Sequence, residues 1–313
     1  MSAFFGIDTS NYTTSAAIEK NGEILQRKML LPVKRGERGL RQSEAVYHHV
    51  MQLPEVCKTL LGDEEITAVG VSFAPRRVKG SYMPCFNVGL GFAEFLCDAL
   101  KVPMYKFSHQ EGHIAAALYS ANKLDLFDDQ FLAFHISGGT TDAILVSPGD
   151  NNIIDCQILA TSLDLHAGQL IDRVGVMLGL NFPCGGELEK LALEYGDRIK
   201  VKPCVKGFDI CLSGVENICR KMFDDGESKQ KIAAVCIEYI ACSIDICTHR
   251  IIQIYSGLPI IYSGGVMRNS IIKNRLSKKY NAYFAQPDFS SDNAAGIAVL
   301  AKTAYDRAKY IKP

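Results

Sequence analysis

The apolar residues of this chain fall into short runs, and two of these runs are interrupted in the same way. From Phe131 to Val146 (FLAFHISGGTTDAILV) an apolar stretch breaks at Ser137-Gly138-Gly139-Thr140-Thr141-Asp142 and then resumes, which predicts two strands joined by a tight polar turn. The segment from Ala3 to Ile18 repeats the plan, running through Asp8-Thr9-Ser10-Asn11-Tyr12-Thr13-Thr14 into a second strand. Between the hairpins, Val46, Val50, Leu53, Val56 and Leu60 keep helical spacing and predict a core-facing helix over 43–61. A buried strand is expected over 66–73, a helix over 87–100 and a strand over 102–107. The polar stretch 118–130 reads as a connection and a lobe boundary. Beyond the second hairpin the pattern gives helices ending near Leu180 and over 187–195, a β-ribbon over 202–213, helices over 215–223 and 228–255, strands near 260 and 282–285, and a C-terminal helix. Two hairpin-headed halves suggest duplicated lobes with a ligand held between them.

Composition narrows the class. The chain has 313 residues, 48% of them hydrophobic, enough for one large core or two modest ones. Lysine plus arginine equals aspartate plus glutamate at 34 each, so any polyanion must be met by local patches. Eleven cysteines without CxxC pairs fit a reducing cytoplasm. The N-terminus enters a strand at once, so no signal peptide is expected, and no apolar run is expected to reach membrane-spanning length.

The candidate chemistry lies at the breaks in the pattern. Glycines at 138 and 139 let backbone N–H groups approach an anion, and the neighbouring hydroxyls add donors. His109 and His113 stand four residues apart, one face of a helix, a spacing that lets two imidazoles share a transition metal. Gln110 occupies the glutamate position of HExxH, so this is not a zinc-protease motif. Asp292, just ahead of the C-terminal helix, is the candidate third ligand, with Ser290 and Ser291 as N-cap candidates. Asp172, two turns into a predicted helix, is a candidate acceptor for ribose hydroxyls or simply part of a solvated helix face. Pro183-Cys184-Gly185-Gly186 reads as a glycine turn before a helix, and Ser263-Gly264-Gly265 as a strand-to-helix turn open to a ring or phosphate. Two basic loops, 32–41 and 74–80 with Arg76 and Arg77, are candidate contacts for a phosphate, a carboxylate or an acidic partner, or plain solvated loops.

In collinear order, DTS at 8–10, HQEGH at 109–113, SGGTT at 137–141, LDLHAGQLIDR at 163–173, PCGG at 183–186, SGV at 213–215, SGGVMRN at 263–269 and SSDNAAGIA at 290–298 resemble the TsaD family, long filed as O-sialoglycoprotein endopeptidase. The resemblance implies an α/β, actin-like ATPase fold, shared with sugar kinases and heat-shock chaperones. Two duplicated ribonuclease H-like lobes (1–130 and 131–290) would flank a cleft, with the helix at 291–313 packed back on the first. It implies transfer of a threonylcarbamoyl group from its adenylate to the adenosine beside a tRNA anticodon. His109, His113 and Asp292 match the family's metal ligands, for one divalent ion such as iron or zinc. His135, Ile136, Ser137, Gly138, Gly139, Asp172, Gly185 and Asn269 match positions for the adenylate, or for ATP or ADP with magnesium. Other subunits of a tRNA-modification complex are expected partners, and a membrane is not. Three departures stand out: Asn11, Tyr12 and Thr13 replace an acidic pair, Ala74-Pro75-Arg76-Arg77-Val78 replaces a Gly-Pro-Gly-Leu loop, and Thr140 replaces a histidine. They mark a diverged paralogue and keep two alternatives open. One is a non-catalytic docking subunit; the other is a small-molecule carbamoyltransferase or kinase clamping its substrate with Arg76 and Arg77.

Overall fold

A computed structural model describes residues 2–10, 12–32, 40–62, 64–149 and 152–311. Its elements run β1 (Ala3–Ser10), β2 (Thr13–Lys20), β3 (Glu23–Leu30), α1 (Gln42–Leu61), β4 (Ile66–Ala74), α2 (Phe86–Leu100), β5 (Met104–Ser108) and α3 (His109–Ser120). They continue with β6 (Phe131–Ile136), β7 (Thr141–Pro148), β8 (Ile154–Ala160), α4 (Ala167–Met177), α5 (Gly185–Glu194), β9 (Cys204–Lys206), β10 (Asp209–Cys211), α6 (Ser213–Asp224) and α7 (Lys229–Ile252). The last are β11 (Ile260–Ser263), α8 (Ser270–Ser277), β12 (Ala282–Phe284) and α9 (Ala295–Ile311). Two compact units result: Met1–Phe127 with Pro148–Asp155 and Asp288–Pro313, and Asp128–Ser147 with Cys156–Pro287.

The first unit holds a five-stranded sheet in the order β3-β2-β1-β4-β5. The first three strands are antiparallel, while β1, β4 and β5 run parallel. Strand β1 is buried along its whole length, as a strand covered on both faces must be. Residues of α1 and α2 pack with β1, β2 and β4 around Phe5, Ile7, Leu53, Val56 and Val71. Ala294, just before α9, and Ala295 and Ala298 on it pack on Ala17. The second unit repeats this strand order as β8-β7-β6-β11-β12, again with an antiparallel hairpin and parallel strands beyond it.

Strands β3 and β8 are the elements the hydrophobic pattern concealed. Their residues are mostly exposed or half-buried, so no apolar run marks them. For β3 a turn signal was present: Asn21 and Gly22 both have positive φ, as a two-residue hairpin turn requires.

Other expectations are corrected. The connection over 118–130 is not structureless: α3 runs to Ser120, and a 3-10 turn over Leu124–Asp128 buries Leu126 and Phe127. Pro183–Gly186 is not a turn preceding the helix, because α5 begins at Gly185 itself. At the start of α9, Asn293 Oδ1 accepts the Ala295 N–H at 3.0 Å, a contact the sequence pattern did not single out. Contrary to the expectation of no membrane-length apolar run, α7 is a 24-residue helix long and apolar enough to span a bilayer. It is buried instead in the core of the second unit, through Ile232, Cys236, Ile237, Ile240, Ile244 and Ile251. The basic loop at 32–41 lies largely outside the described residues.

Candidate functional site

In the first unit, the parallel strands β1, β4 and β5 point their C-terminal ends the same way, the edge where open α/β sheets present ligands. Helix α3 starts directly from β5. Ser108 Oγ accepts the Glu111 N–H at 3.2 Å and a Glu111 carboxylate oxygen accepts the Ser108 N–H at 2.5 Å, a capping box that fixes the first turn. His109 and His113 therefore share one face, with their Nε2 atoms 2.9 Å apart. Asp292, from the segment leading into α9, faces both: its Oδ1 lies 3.3 Å from His113 Nε2 and 3.6 Å from His109 Nε2. Three donors separated by 2.9–3.6 Å fit the edges of a tetrahedron around one ion, about 3.3 Å for ligands at about 2.0 Å.

Asp8 had no role assigned from its place in the chain. It ends up behind the site, where its Oδ2 accepts from His109 Nδ1 at 2.6 Å and its Oδ1 accepts the Ser10 N–H at 2.7 Å. A carboxylate on the far nitrogen fixes the ring's tautomer and aims Nε2 at the ion, as metal-ligating histidines require. Its position at the close of the first hairpin's leading strand, within the DTS motif, was the available signal. Thr13 Oγ1 donates to Asp292 Oδ2 at 3.3 Å, and Asn11, the other end of the replaced acidic segment, lies outside the described residues. Tyr12 is half-buried beside it.

The charges are organised for a cation. Burial opposes the imidazolium of His109, but the Asp8 and Asp292 carboxylates outweigh it and lift its pKa to about 10. Burial and then the charge of His109 lower the pKa of His113. Burial opposes the Asp292 carboxylate as well, yet the hydrogen bonds from both histidines hold it well below the usual range.

Arg77 is drawn inward. Its guanidinium bonds the buried Glu111 carboxylate at 3.2–3.3 Å and the Lys106 carbonyl at 2.8 Å, and lies over the Phe73 ring.

In the second unit, the adenylate candidates divide between two neighbouring places. At the end of β6, the Ser137–Thr140 turn is closed by the Ser137 N–H on the Thr140 carbonyl at 2.7 Å. Gly138 and Gly139 are exposed. The Gly139 and Thr140 N–H groups, expected to face an anion, donate to Ser137 Oγ at 3.3 and 3.1 Å. Helix α4 begins against this turn: a Cβ on Gly168 would meet Gly138 at 2.7 Å. Gly264 (φ +97°) packs on Ile136, and the His135 Nδ1 and Ser263 Oγ atoms lie 3.1 Å apart.

The second place is the start of α5. Asp172 Oδ1 accepts the Cys184 N–H at 2.9 Å, and burial raises the Asp172 pKa despite that bond. Gly185 follows at once. One turn further, Glu189 accepts from the Ser270 N–H at 2.7 Å, tying α5 to α8. Asn269 is the N-cap of α8, its Oδ1 accepting from Ile271 and Ile272 at 3.1 and 3.2 Å. Gly264 is the N-cap of a 3-10 helix over Gly265–Arg268, so the glycine pair opens a helical turn as expected, and α8 follows from Ser270.

Comparison with known proteins decides the family. The TsaD profile, described as tRNA N6-adenosine threonylcarbamoyltransferase, matches residues 32–299. The chain belongs to the TsaD family. A tRNA N6-adenosine threonylcarbamoyltransferase of Methanopyrus kandleri is 26% identical over 287 residues, covering 90% of this chain and 81% of that one. One from Thermosipho africanus is 28% identical over 326 residues, covering 96% and 94%. Among solved structures, the 2-hydroxyisocaproyl-CoA dehydratase activator of Clostridium difficile superposes with a TM-score of 0.53 at 14% identity, covering 99% and 98%. This TsaD-family chain thus has the actin-like ATPase fold, and its family relatives are acyltransferases.

Proposed function

We propose that this protein transfers a threonylcarbamoyl group from its adenylate to the N6 amine of a tRNA adenosine near the anticodon, with one divalent ion held by His109, His113 and Asp292. The observation that carries this reading is the convergence of those three donors with Asp8 behind His109. The donor set, two imidazoles and one carboxylate, suits iron or zinc. Bound there, the ion supplies a Lewis acid for an acyl or phosphate oxygen. Asp8 orients His109, and Thr13 holds Asp292 by its second oxygen. In the transfer, the N6–carbamoyl bond forms as the carbamoyl–phosphate bond breaks, AMP leaves, and the amine loses a proton. The Ser137–Gly139 turn, Asp172, Gly185 and Asn269 would receive the adenylate, with magnesium where the ligand is ATP. A cytoplasmic setting, among further subunits of a modification complex, suits eleven free cysteines.

One observation favours a second reading, a nucleotide-binding subunit without catalysis: a threonine and not an acid stands beside Asp292. Incubation with threonylcarbamoyl-adenylate and unmodified tRNA separates the two. Threonylcarbamoyl-adenosine in the digested tRNA, lost in His109→Ala, is the expected result. Tight adenylate binding with no modified nucleoside would replace the transferase by the docking subunit.

A further inference from the structure

The second unit carries a line of cations that no part of the proposed site uses. From Arg198 to Phe208 the sequence places Arg198, Lys200, Lys202 and Lys206 with no carboxylate among them. All four are exposed and none forms an ion pair with a described residue, whereas the alternate residues Ile199, Val201 and Val205 are half-buried. Ile199 and Val201 pack against the core of the unit. This alternation belongs to an extended chain, which advances about 3.3 Å per residue, so cations on one face recur every ~6.6 Å or a multiple of it. That interval is comparable with the spacing of successive phosphates along a nucleic-acid strand. The line is also held in place. Arg250 Nη1 donates to the Val205 and Gly207 carbonyls at 2.9 and 2.6 Å, and Tyr239 Oη accepts the Cys204 N–H at 2.9 Å. The ribbon is bonded in turn to the segment entering α4: Thr161 N–H to Asp209 at 2.8 Å, and Leu163 N–H to Ile210 O at 2.9 Å.

We infer that Arg198, Lys200, Lys202 and Lys206 form a contact track for the phosphodiester backbone of RNA. The chain as a whole is electrically neutral, so it draws a polyanion only through such a local field. An acidic protein surface would be met as well by scattered cations; four exposed cations two or four residues apart along one segment, with carboxylates only at its ends (Asp197 and Asp209), suit a strand of phosphates. The inference rests on the reading of tRNA as the acceptor, and locates part of its binding surface.

The test measures binding of unmodified tRNA by the full-length protein as a function of salt. Arg198→Gln, Lys200→Gln, Lys202→Gln and Lys206→Gln are combined in one variant; Arg27→Gln, Lys58→Gln, Lys101→Gln and Lys278→Gln, all exposed, form a charge-matched control. The track variant is expected to bind about tenfold or more weakly, with the slope of log K against log salt reduced by about 3, while the control matches the parent. Each single substitution is expected to reduce the slope by roughly 0.7–0.9, which serves if the combined variant folds poorly. Equal losses in track and control variants would overturn the track and leave the transferase reading standing. Retained tRNA binding with loss of polyglutamate binding would overturn it in favour of an acidic protein partner. A parent protein that binds no tRNA at any salt would remove the acceptor reading itself, and the track with it.

Discussion

Asp8 determines which nitrogen of His109 faces the candidate ion, so the smallest informative change is there. Asp8→Asn keeps the shape but weakens the hold on Nδ1–H, and is expected to lower zinc affinity ten- to a hundredfold in a chelator competition; an unchanged affinity would remove Asp8 from the site. Protons compete at the same place. His109 keeps its proton up to about pH 10, His113 is lowered and Asp292 stays ionised, so at pH 8 binding must expel one proton. Calorimetry in buffers of different ionisation enthalpy should count one proton released, with affinity rising about tenfold per pH unit below that pKa. No buffer dependence would show that His109 is already neutral in the metal-free protein. A second histidine acts on stability. His49 is buried against Thr14, and burial, only partly offset by Asp8, lowers its pKa to about 4. The folded state then binds fewer protons than the unfolded chain between about pH 6.5 and 4. This stabilisation is complete above 6.5 and fades as pH falls toward 4. Between pH 7 and 4.5 the parent should lose about 2.5 kcal/mol more than His49→Gln in urea unfolding. Equal losses would show that His49 is not buried neutral.

At the scale of elements, the site depends on where two helices begin and cross. Gly112 of α3 and Gly296 of α9 face each other so closely that a Cβ on Gly296 would lie 1.8 Å from the Gly112 carbonyl oxygen. That crossing sets Asp292, four residues before Gly296, beside His113, the residue after Gly112. Gly296→Ala is expected to destabilise the fold by about 2 kcal/mol or more and to weaken metal binding in the fraction that still folds; near-parental unfolding and affinity would show that the crossing yields freely. The histidine spacing was legible from the chain because four residues make one helical turn. The capping box that starts that turn was equally local, in Ser108 and Glu111, though only the hydrogen bonds made it evident. Glu111 looked like part of a polar motif and proved to be a cap and the partner of Arg77, which accounts for one of the two arginines expected to hold an anion.

At the scale of the whole molecule, two sheets with the same strand order explain why two hairpins of the same pattern open the halves of the chain. The core of the second unit is built around α7, where Ile240 is fully buried, so Ile240→Ala is expected to cost 2–5 kcal/mol in chemical unfolding; a cost well below 1 kcal/mol would deny α7 that role. The sequence alone determined the periodic elements, the duplicated hairpins and the family motifs, because these depend on the alternation of apolar and polar residues within one element. It left β3 and β8 hidden, since half-exposed strands carry no apolar run, and it made α4–α8 read as separate helices with no partner. The motifs already grouped His109, His113 and Asp292; only the tertiary structure decided how closely they meet and that Asp8 stands behind His109. Spacing along a chain records the period of a helix or strand, whereas the distance between remote segments is set by which surfaces pack, and here by how closely α9 can approach α3.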